Sequence, residues 1–109
     1  TGDILKADEA LAGGFVKAVL PADKLLEEAY RIAGKIAQHS PVAIALTRQM
    51  MYRNAAQAHP MEAHRVDSLA IFYTSQKSGK EGIASFLEKR APVFTDKVST
   101  DMPPFYPWW

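Results

Sequence analysis

Basic and aromatic side chains come together near the end of the segment GKEGIASFLEKRAPVF, residues 79–94. Phe86 precedes the adjacent pair Lys89 and Arg90, and a proline follows two residues later. Positive charges at the end of a helix complement the negative pole of its macrodipole. The same charges can bind an anionic group, and a nearby aromatic ring can add an apolar contact. The segment therefore predicts either a helix terminus that meets solvent or a site for an anionic ligand.

The three histidines are poorly spaced for metal binding. His59 and His64 lie five residues apart across a proline, with Glu62 between them, and His39 is distant in sequence. Metal sites need ligands that converge on one point. We therefore predict helix-end or surface histidines and no metal site.

The sequence contains no recognisable catalytic motif. There is no cysteine, P-loop, GxGxxG, GxSxG or HExxH. Glu27 and Glu28 are adjacent, and adjacent helical positions point in different directions, so they are predicted to be solvated rather than an acid/base couple. The residues alone predict no catalytic group in this chain.

Composition indicates one small globular unit. The chain has 109 residues, 48% apolar and 23% charged, with a net charge of +1. This charge provides no general attraction for nucleic acid or an anionic membrane, so any anion site must be local. No apolar run approaches the roughly 20 residues of a membrane helix. We expect a cytoplasmic protein, although the absence of cysteine says little about compartment beyond being compatible with a reducing cytosol. The start at Thr1-Gly2, without Met, leads us to expect the tail of a longer chain.

Hydrophobic periodicity predicts an all-α fold of about five helices with almost no sheet. A glycine stop is expected at Gly13-Gly14, and a helix start at Ser40-Pro41. The predicted helices are 6–14, 23–38, 41–57, 61–76 and 78–90, with an extended run at 15–21 and an irregular chain from Ala91.

The last predicted helix opens with Ser78 and Glu81, which fit a capping box. Its pattern predicts that Ile83, Phe86 and Leu87 are buried.

Other apolar segments predict contacts. The LAIFY segment, 69–73, is apolar on all sides, which predicts a partner surface. Met50, Met51 and Tyr52 predict core packing, with an adaptable ligand pocket as the alternative. The aromatic tail PPFYPWW predicts docking on its own or a neighbouring subunit.

The order of these motifs resembles the crotonase, or enoyl-CoA hydratase/isomerase, superfamily. Residues 1–51 run as TG, an acidic-alanine helix, GFV, VLP, a long helix and then SP with another helix. KEGIASFLEKRAPVF, 80–94, resembles the last helix of that family, with its EG, F, KR and P-x-F pattern. The resemblance covers about residues 1–95.

The resemblance implies that 1–95 is a C-terminal helical region that follows a spiral β/α core absent from this chain, and that 96–109 is an irregular tail. Family members form trimers, often paired into hexamers, through this region. Their oxyanion hole and acid/base glutamates lie in the core, so the resemblance implies no catalytic residue here.

By motif, Phe86 and Lys89 correspond to the residues that reach coenzyme A in the hydratases. The resemblance implies an acyl-CoA thioester as substrate, no prosthetic group, and syn hydration of a 2-enoyl-CoA. Isomerase, hydrolase, decarboxylase and dehydratase members share this region. Core packing stays open as a second role for Phe86, whereas Arg90 is expected to be structural.

This chain departs from the family pattern at three places. Lys77 and Ser78 stand where an acidic pair is usual, which adds positive charge near the predicted CoA contact. Lys6 replaces a usual capping serine, and the tail beyond Thr95 is longer than usual.

The rival hypothesis is a helical protein-interaction module without a ligand, and a nucleic-acid module ranks third because no basic stripe exists.

Overall fold

The computed structural model describes residues 2–108, so Trp109 of the predicted aromatic tail lies outside the described residues. The described part of the chain is all-α and contains no strand, as predicted. A short 3-10 helix at Ala22–Lys24 precedes the second helix. The helices are α1 (Ala7–Ala12), α2 (Leu25–Ala37), α3 (Pro41–Ala55), α4 (Pro60–Ser75), α5 (Ser78–Leu87) and α6 (Val98–Asp101). The sequence pattern did not predict α6, which is a single turn in a segment expected to be irregular.

The chain divides into two compact units, Thr1–Ala33 and Gly34–Trp109. The predicted division at residue 95, between a family-like helical region and an irregular tail, concerns function and stays a prediction. In the first unit, the Glu9 carboxylate accepts a hydrogen bond from the Lys6 N–H at 2.9 Å and so caps α1 without a serine. The predicted glycine stop is confirmed, because Gly14 has a φ of 74° and the chain leaves the helix there.

The core of the second unit lies between α3 and α4. Val42 and Leu46 of α3 are buried, as are Val66 and Ala70 of α4. Burial of a valine or leucine side chain is worth roughly 1.5–3 kcal/mol, and burial of the smaller Ala70 side chain is worth less. This small core fixes the two helices to each other.

Side-chain caps begin both core helices. Ser40 is buried, and its Oγ accepts a hydrogen bond from the Ala43 N–H at 3.2 Å, which confirms the predicted start of α3. Nδ1 of His59 accepts from the Met61 N–H at 3.1 Å. His59 therefore caps α4, as expected for a histidine at a helix end.

The predicted capping box at the start of α5 is wrong. Ser78 lies inside the helix, and Lys77 is the capping residue but gives no side-chain cap. The Glu81 carboxylate instead accepts a hydrogen bond from the Val93 N–H at 2.7 Å. Glu81 is drawn away from the helix start because the chain after α5 returns to it.

The predicted burial of the α5 apolar residues is also wrong. Ile83 is 63% exposed, Phe86 81% and Leu87 72%, and the buried residue of α5 is Ser85. Periodicity identifies an apolar face but does not say which partner covers it. In this chain that face is uncovered.

The other apolar segments divide between core and surface. Within LAIFY, Ala70 is buried, whereas Ile71 and Phe72 are about two-thirds exposed. Met50 packs against the core, but Met51 and Tyr52 are exposed. Core packing therefore holds for the first of the two methionines only.

Candidate functional site

The C-terminal end of α5 has a defined backbone geometry. The Arg90 N–H donates to the Ser85 carbonyl at 3.0 Å, and the Lys89 N–H donates to the Phe86 carbonyl at 3.3 Å. This pair of bonds is a Schellman motif, which requires a left-handed residue between helix and loop. Lys89 is that residue, with a φ of 54°. Glycine is the usual choice at this position because a side chain raises the energy of the conformation.

The two predicted CoA contacts lie within one turn of this helix end. Phe86 is in the last turn of α5 and extends into solvent, and Lys89 directly follows the helix cap. Of the two roles left open for Phe86, packing in the core of this chain is excluded by its exposure.

An open cavity of about 350 Å³ lies beside the segment that follows Lys89. Its walls come from residues 91–94 on one side and from 37–39 with Pro41 on the other. The end of α5 therefore adjoins a concave surface that can accept part of a ligand.

Arg90 is occupied by two carboxylates. Its Nη2 lies 2.9 Å from Glu81 Oε2, and its Nε lies 2.6 Å from Glu88 Oε2. The hydrogen bond from Arg90, and after it the Val93 N–H, lowers the pKa of Glu81 from its ordinary value of 4.5 to about 2. The expectation that Arg90 is structural agrees with these contacts, which close the chain back onto α5.

The glutamates of this chain are all engaged in local contacts. Each of the six accepts a hydrogen bond from a group no more than twelve residues away, and they are Glu9, Glu27, Glu28, Glu62, Glu81 and Glu88. Among residues 2–108, histidine and carboxylate side chains do not gather into a group of three that could hold a metal. The adjacent pair Glu27 and Glu28 binds Lys24 and Arg31 separately.

Lys77, which was expected to add positive charge near the predicted CoA contact, lies at the opposite end of α5 from Lys89. The ten residues of α5 span about 15 Å. Nζ of Lys77 lies 4.0 Å from Asp101 Oδ1 and 4.9 Å from the centre of the Tyr73 ring. Its charge is directed to the tail rather than to the end of α5 that carries Phe86.

The family model for enoyl-CoA hydratase/isomerase matches residues 1–97, nearly the whole chain. The chain belongs to this family. The match includes α5 with Phe86 and Lys89, and it stops immediately before α6. Within the part of the chain that the structure describes, no helix is long and apolar enough to cross a membrane.

Two curated relatives of the family show the extent of the similarity. Enoyl-CoA hydratase domain-containing protein 3, mitochondrial, from Xenopus laevis is 36% identical over 95 residues, covering 87% of this chain and 32% of the relative. The 2,3-dehydroadipyl-CoA hydratase of Escherichia coli strain K12 is 32% identical over 94 residues, covering 86% of this chain and 37% of the relative. The chain thus spans about a third of the length of these relatives.

Solved structures of the family agree with the fold. The crystal structure of an enoyl-CoA hydratase from Polaromonas sp. JS666 superposes with a TM-score of 0.78 at 26% identity, covering 85% of this chain and 36% of that chain. An enoyl-CoA hydratase structure from Bacillus anthracis gives a TM-score of 0.74 at 32% identity, covering 84% of this chain and 35% of that chain. The described helices therefore form one part of a crotonase fold.

Proposed function

We propose that this chain is the C-terminal helical region of an acyl-CoA enzyme and that the end of α5 forms part of its coenzyme A site. The observation that carries the proposal is Lys89, an exposed lysine held in a left-handed conformation beside an exposed Phe86. Strained backbone positions concentrate at functional sites, where the side chain is worth its conformational cost.

The chemistry of the two side chains suits a nucleotide ligand. The Lys89 ammonium is a compact positive charge that attracts a phosphate, and Phe86 offers an apolar surface. Arg90 is already paired with Glu81 and Glu88, which leaves Lys89 as the basic group of this helix end for a phosphate. The substrate we propose is a coenzyme A thioester, with no prosthetic group.

The proposed reaction is syn hydration of a 2-enoyl-CoA. In the family such chemistry needs backbone N–H groups that stabilise an enolate oxygen and a carboxylate that activates water. We assign both to the part of the enzyme outside this chain, since the glutamates here are engaged locally. The alternatives within the family are isomerase, thioester hydrolase, decarboxylase and dehydratase activity.

The exposed apolar residues support a second role in subunit assembly. Ile71 and Phe72 of α4 and Ile83 and Leu87 of α5 lie on the surface of this chain. Large exposed apolar surface marks contact sites on proteins. We propose that they are covered in a homotrimer or hexamer. This observation also favours the rival hypothesis, a helical interaction module, which predicts no CoA binding.

The expected cytoplasmic location remains a proposal, and one relative named above is described as mitochondrial.

The first experiment is calorimetric binding of coenzyme A to the full-length protein that carries this chain, with Lys89→Ala compared with wild type. An exposed lysine–phosphate contact contributes about 1 kcal/mol, so we expect about a fivefold increase in Kd. The difference should shrink between low and high salt because mobile ions screen the contact.

Lys80→Ala is the matched control, since Lys80 is an exposed lysine in the first turn of the same helix. It should leave the Kd unchanged. Equal affinities for wild type and Lys89→Ala would assign Lys89 to the helix end alone. Absence of CoA binding by the wild type would support the interaction module.

A further inference from the structure

The tail that follows the family match packs on its own chain. Three of its residues, Met102, Tyr106 and Trp108, lie against the buried cluster of Val42, Leu46 and Ala70. The family match ends at residue 97, so this packing comes from a segment outside it. The tail therefore closes an apolar groove between α3 and α4 within one subunit.

One residue of the tail, Asp101, lies at the corner between α4 and α5. The Tyr73 hydroxyl donates a hydrogen bond to the Asp101 carbonyl at 3.0 Å. Asp101 Oδ1 lies 4.0 Å from Nζ of Lys77, the residue immediately before α5. Both the backbone and the carboxylate of Asp101 thus hold this corner.

The corner is tight, so contacts there affect the direction of α5. Two residues, 76 and 77, join α4 to α5. A Cβ atom at Gly79 would lie 2.9 Å from the Thr74 carbonyl oxygen, which is too close. The start of α5 therefore rests directly on the end of α4, and we expect a shift of the corner to change the direction of α5.

The chain between α5 and the tail is held as well. Asp96 Oδ2 accepts hydrogen bonds from the Ser40 hydroxyl at 2.6 Å and from the Val42 N–H at 3.1 Å. This carboxylate is fixed at the N-terminus of α3, where negative charge is favourable. The tail therefore begins from an anchored point, and its contacts with Tyr73 and Lys77 follow at the α4–α5 corner.

We propose that the tail, residues 98–108, is a positioning latch for α5. By holding Tyr73 and Lys77 it sets the orientation of the helix whose far end carries Phe86 and Lys89. The affinity for coenzyme A then depends on tail docking. This inference rests on the proposed function of that helix end, and the residues of the latch are positioning residues that do not touch the ligand.

The test measures two quantities on the full-length protein: the Kd for coenzyme A and the rate of tryptic cleavage after Lys97. The Lys97 side chain is exposed, but its N–H donates to Asp101 Oδ2 at 2.9 Å and its carbonyl accepts from the Asp101 N–H at 2.8 Å. Cleavage after Lys97 therefore requires the start of the tail to open. Lys77→Glu replaces an attraction to Asp101 by a repulsion. We expect cleavage to be accelerated and the Kd to rise about three- to tenfold.

Two variants separate the latch from a simple charge effect. Asp101 Oδ2 also accepts hydrogen bonds from the Lys97 N–H and the Thr100 hydroxyl, each at 2.9 Å, so the compensating change must keep an acceptor there. Lys77→Glu combined with Asp101→Asn keeps that acceptor and removes the repulsion, so both quantities should lie closer to wild type than those of Lys77→Glu alone. Lys80→Glu introduces the same charge reversal in the first turn of α5 and should change neither quantity. A rise in Kd with Lys80→Glu equal to that with Lys77→Glu would overturn the latch.

A variant that does not change charge provides an independent test of the latch. Tyr73→Phe removes the hydrogen bond to Asp101 without changing charge, and Tyr52→Phe is its exposed control on α3. We expect the former, and not the latter, to raise both cleavage and Kd. Faster cleavage with an unchanged Kd would show that the tail docks without positioning α5.

Failure of the latch is distinguishable from failure of the proposed function. If the wild type binds no coenzyme A, the proposed function is overturned, and the CoA dependence of the latch with it. Cleavage after Lys97 still decides whether the Lys77–Asp101 and Tyr73 contacts hold the tail. If neither quantity responds to Lys77→Glu, the latch is wrong even where the wild type binds coenzyme A.

Discussion

At Lys89 a side chain occupies a backbone conformation that glycine adopts at little cost. A left-handed residue other than glycine costs roughly 1–2 kcal/mol. The resemblance indicated Lys89 by its position in the motif, whereas the positive φ of 54° is known only from the structure. If Lys89 binds coenzyme A as proposed, the stability of the fold favours glycine at this position, whereas binding favours lysine.

Lys89→Gly should therefore stabilise the fold while weakening CoA binding. After allowance for the greater freedom of glycine in the unfolded chain, we expect a gain of about 0.5–1 kcal/mol in the free energy of unfolding. The Kd for coenzyme A should rise as much as with Lys89→Ala. Urea denaturation and calorimetry measure the two effects.

Lys89→Ala is the reference for this comparison, because alanine keeps the Cβ that strains the left-handed conformation and removes the rest of the side chain with its charge. A destabilised Lys89→Gly protein would show that the side chain has a structural role at the helix end. Phe86 is largely exposed and does not contribute to the core of the chain.

On the scale of the elements, α5 is closed by a contact that returns from the following loop. Glu81 in its first turn binds Arg90 and the Val93 N–H beyond its last turn. The sequence suggested a local role for Glu81 with Ser78, three residues away. The tertiary partner prevails because a guanidinium and an N–H together satisfy the carboxylate better than one N–H at the helix start.

The contact of Glu81 with Arg90 and the Val93 N–H predicts that the stability of the fold depends on pH. The pKa of Glu81 is lowered to about 2 in the folded state, so the contact stabilises fully above the ordinary pKa of 4.5. Its contribution is lost as the pH falls from about 4.5 toward 2, because the unfolded state then binds the proton more readily. Glu81→Gln should have a lower melting temperature than wild type at pH 7, and this difference should narrow over that window.

Arg90→Gln tests the same contact from its other side. It should remove the main cause of the low pKa of Glu81, so its melting temperature should fall less steeply between pH 4.5 and 2 than that of wild type. Parallel curves for wild type, Glu81→Gln and Arg90→Gln would contradict the assignment.

On the scale of the whole molecule, the chain leaves large apolar side chains uncovered. Ile71 and Phe72 on α4 and Ile83 and Leu87 on α5 are all more than half exposed. A partner surface was expected for the LAIFY helix, and their exposure is consistent with that expectation.

The 109-residue chain produced alone should therefore self-associate. Light scattering should give a mass above that of the monomer at micromolar concentration, and the double variant Phe72→Glu with Ile83→Glu should reduce it. Gln38→Glu with Gln76→Glu adds the same charge at exposed polar positions and should have little effect. A monodisperse, folded monomer would count against the proposed assembly role.

The sequence by itself determined the features that depend on neighbours a few residues apart. The glycine stop at Gly14, the start of α3 at Ser40 and the start of α4 after His59 are set by caps within about three residues. The order of motifs determined the family for the same reason, because it needs no knowledge of distant contacts.

The tertiary structure alone decided which groups meet across long separations. It gave Glu81 its partners beyond α5, placed Asp96 at the start of α3, and docked the tail at Tyr73 and Lys77. These contacts depend on the direction of the chain after Leu87, which the left-handed turn at Lys89 sets. Periodicity describes a helix face but not its cover, so the exposure of Phe86 also had to come from the structure.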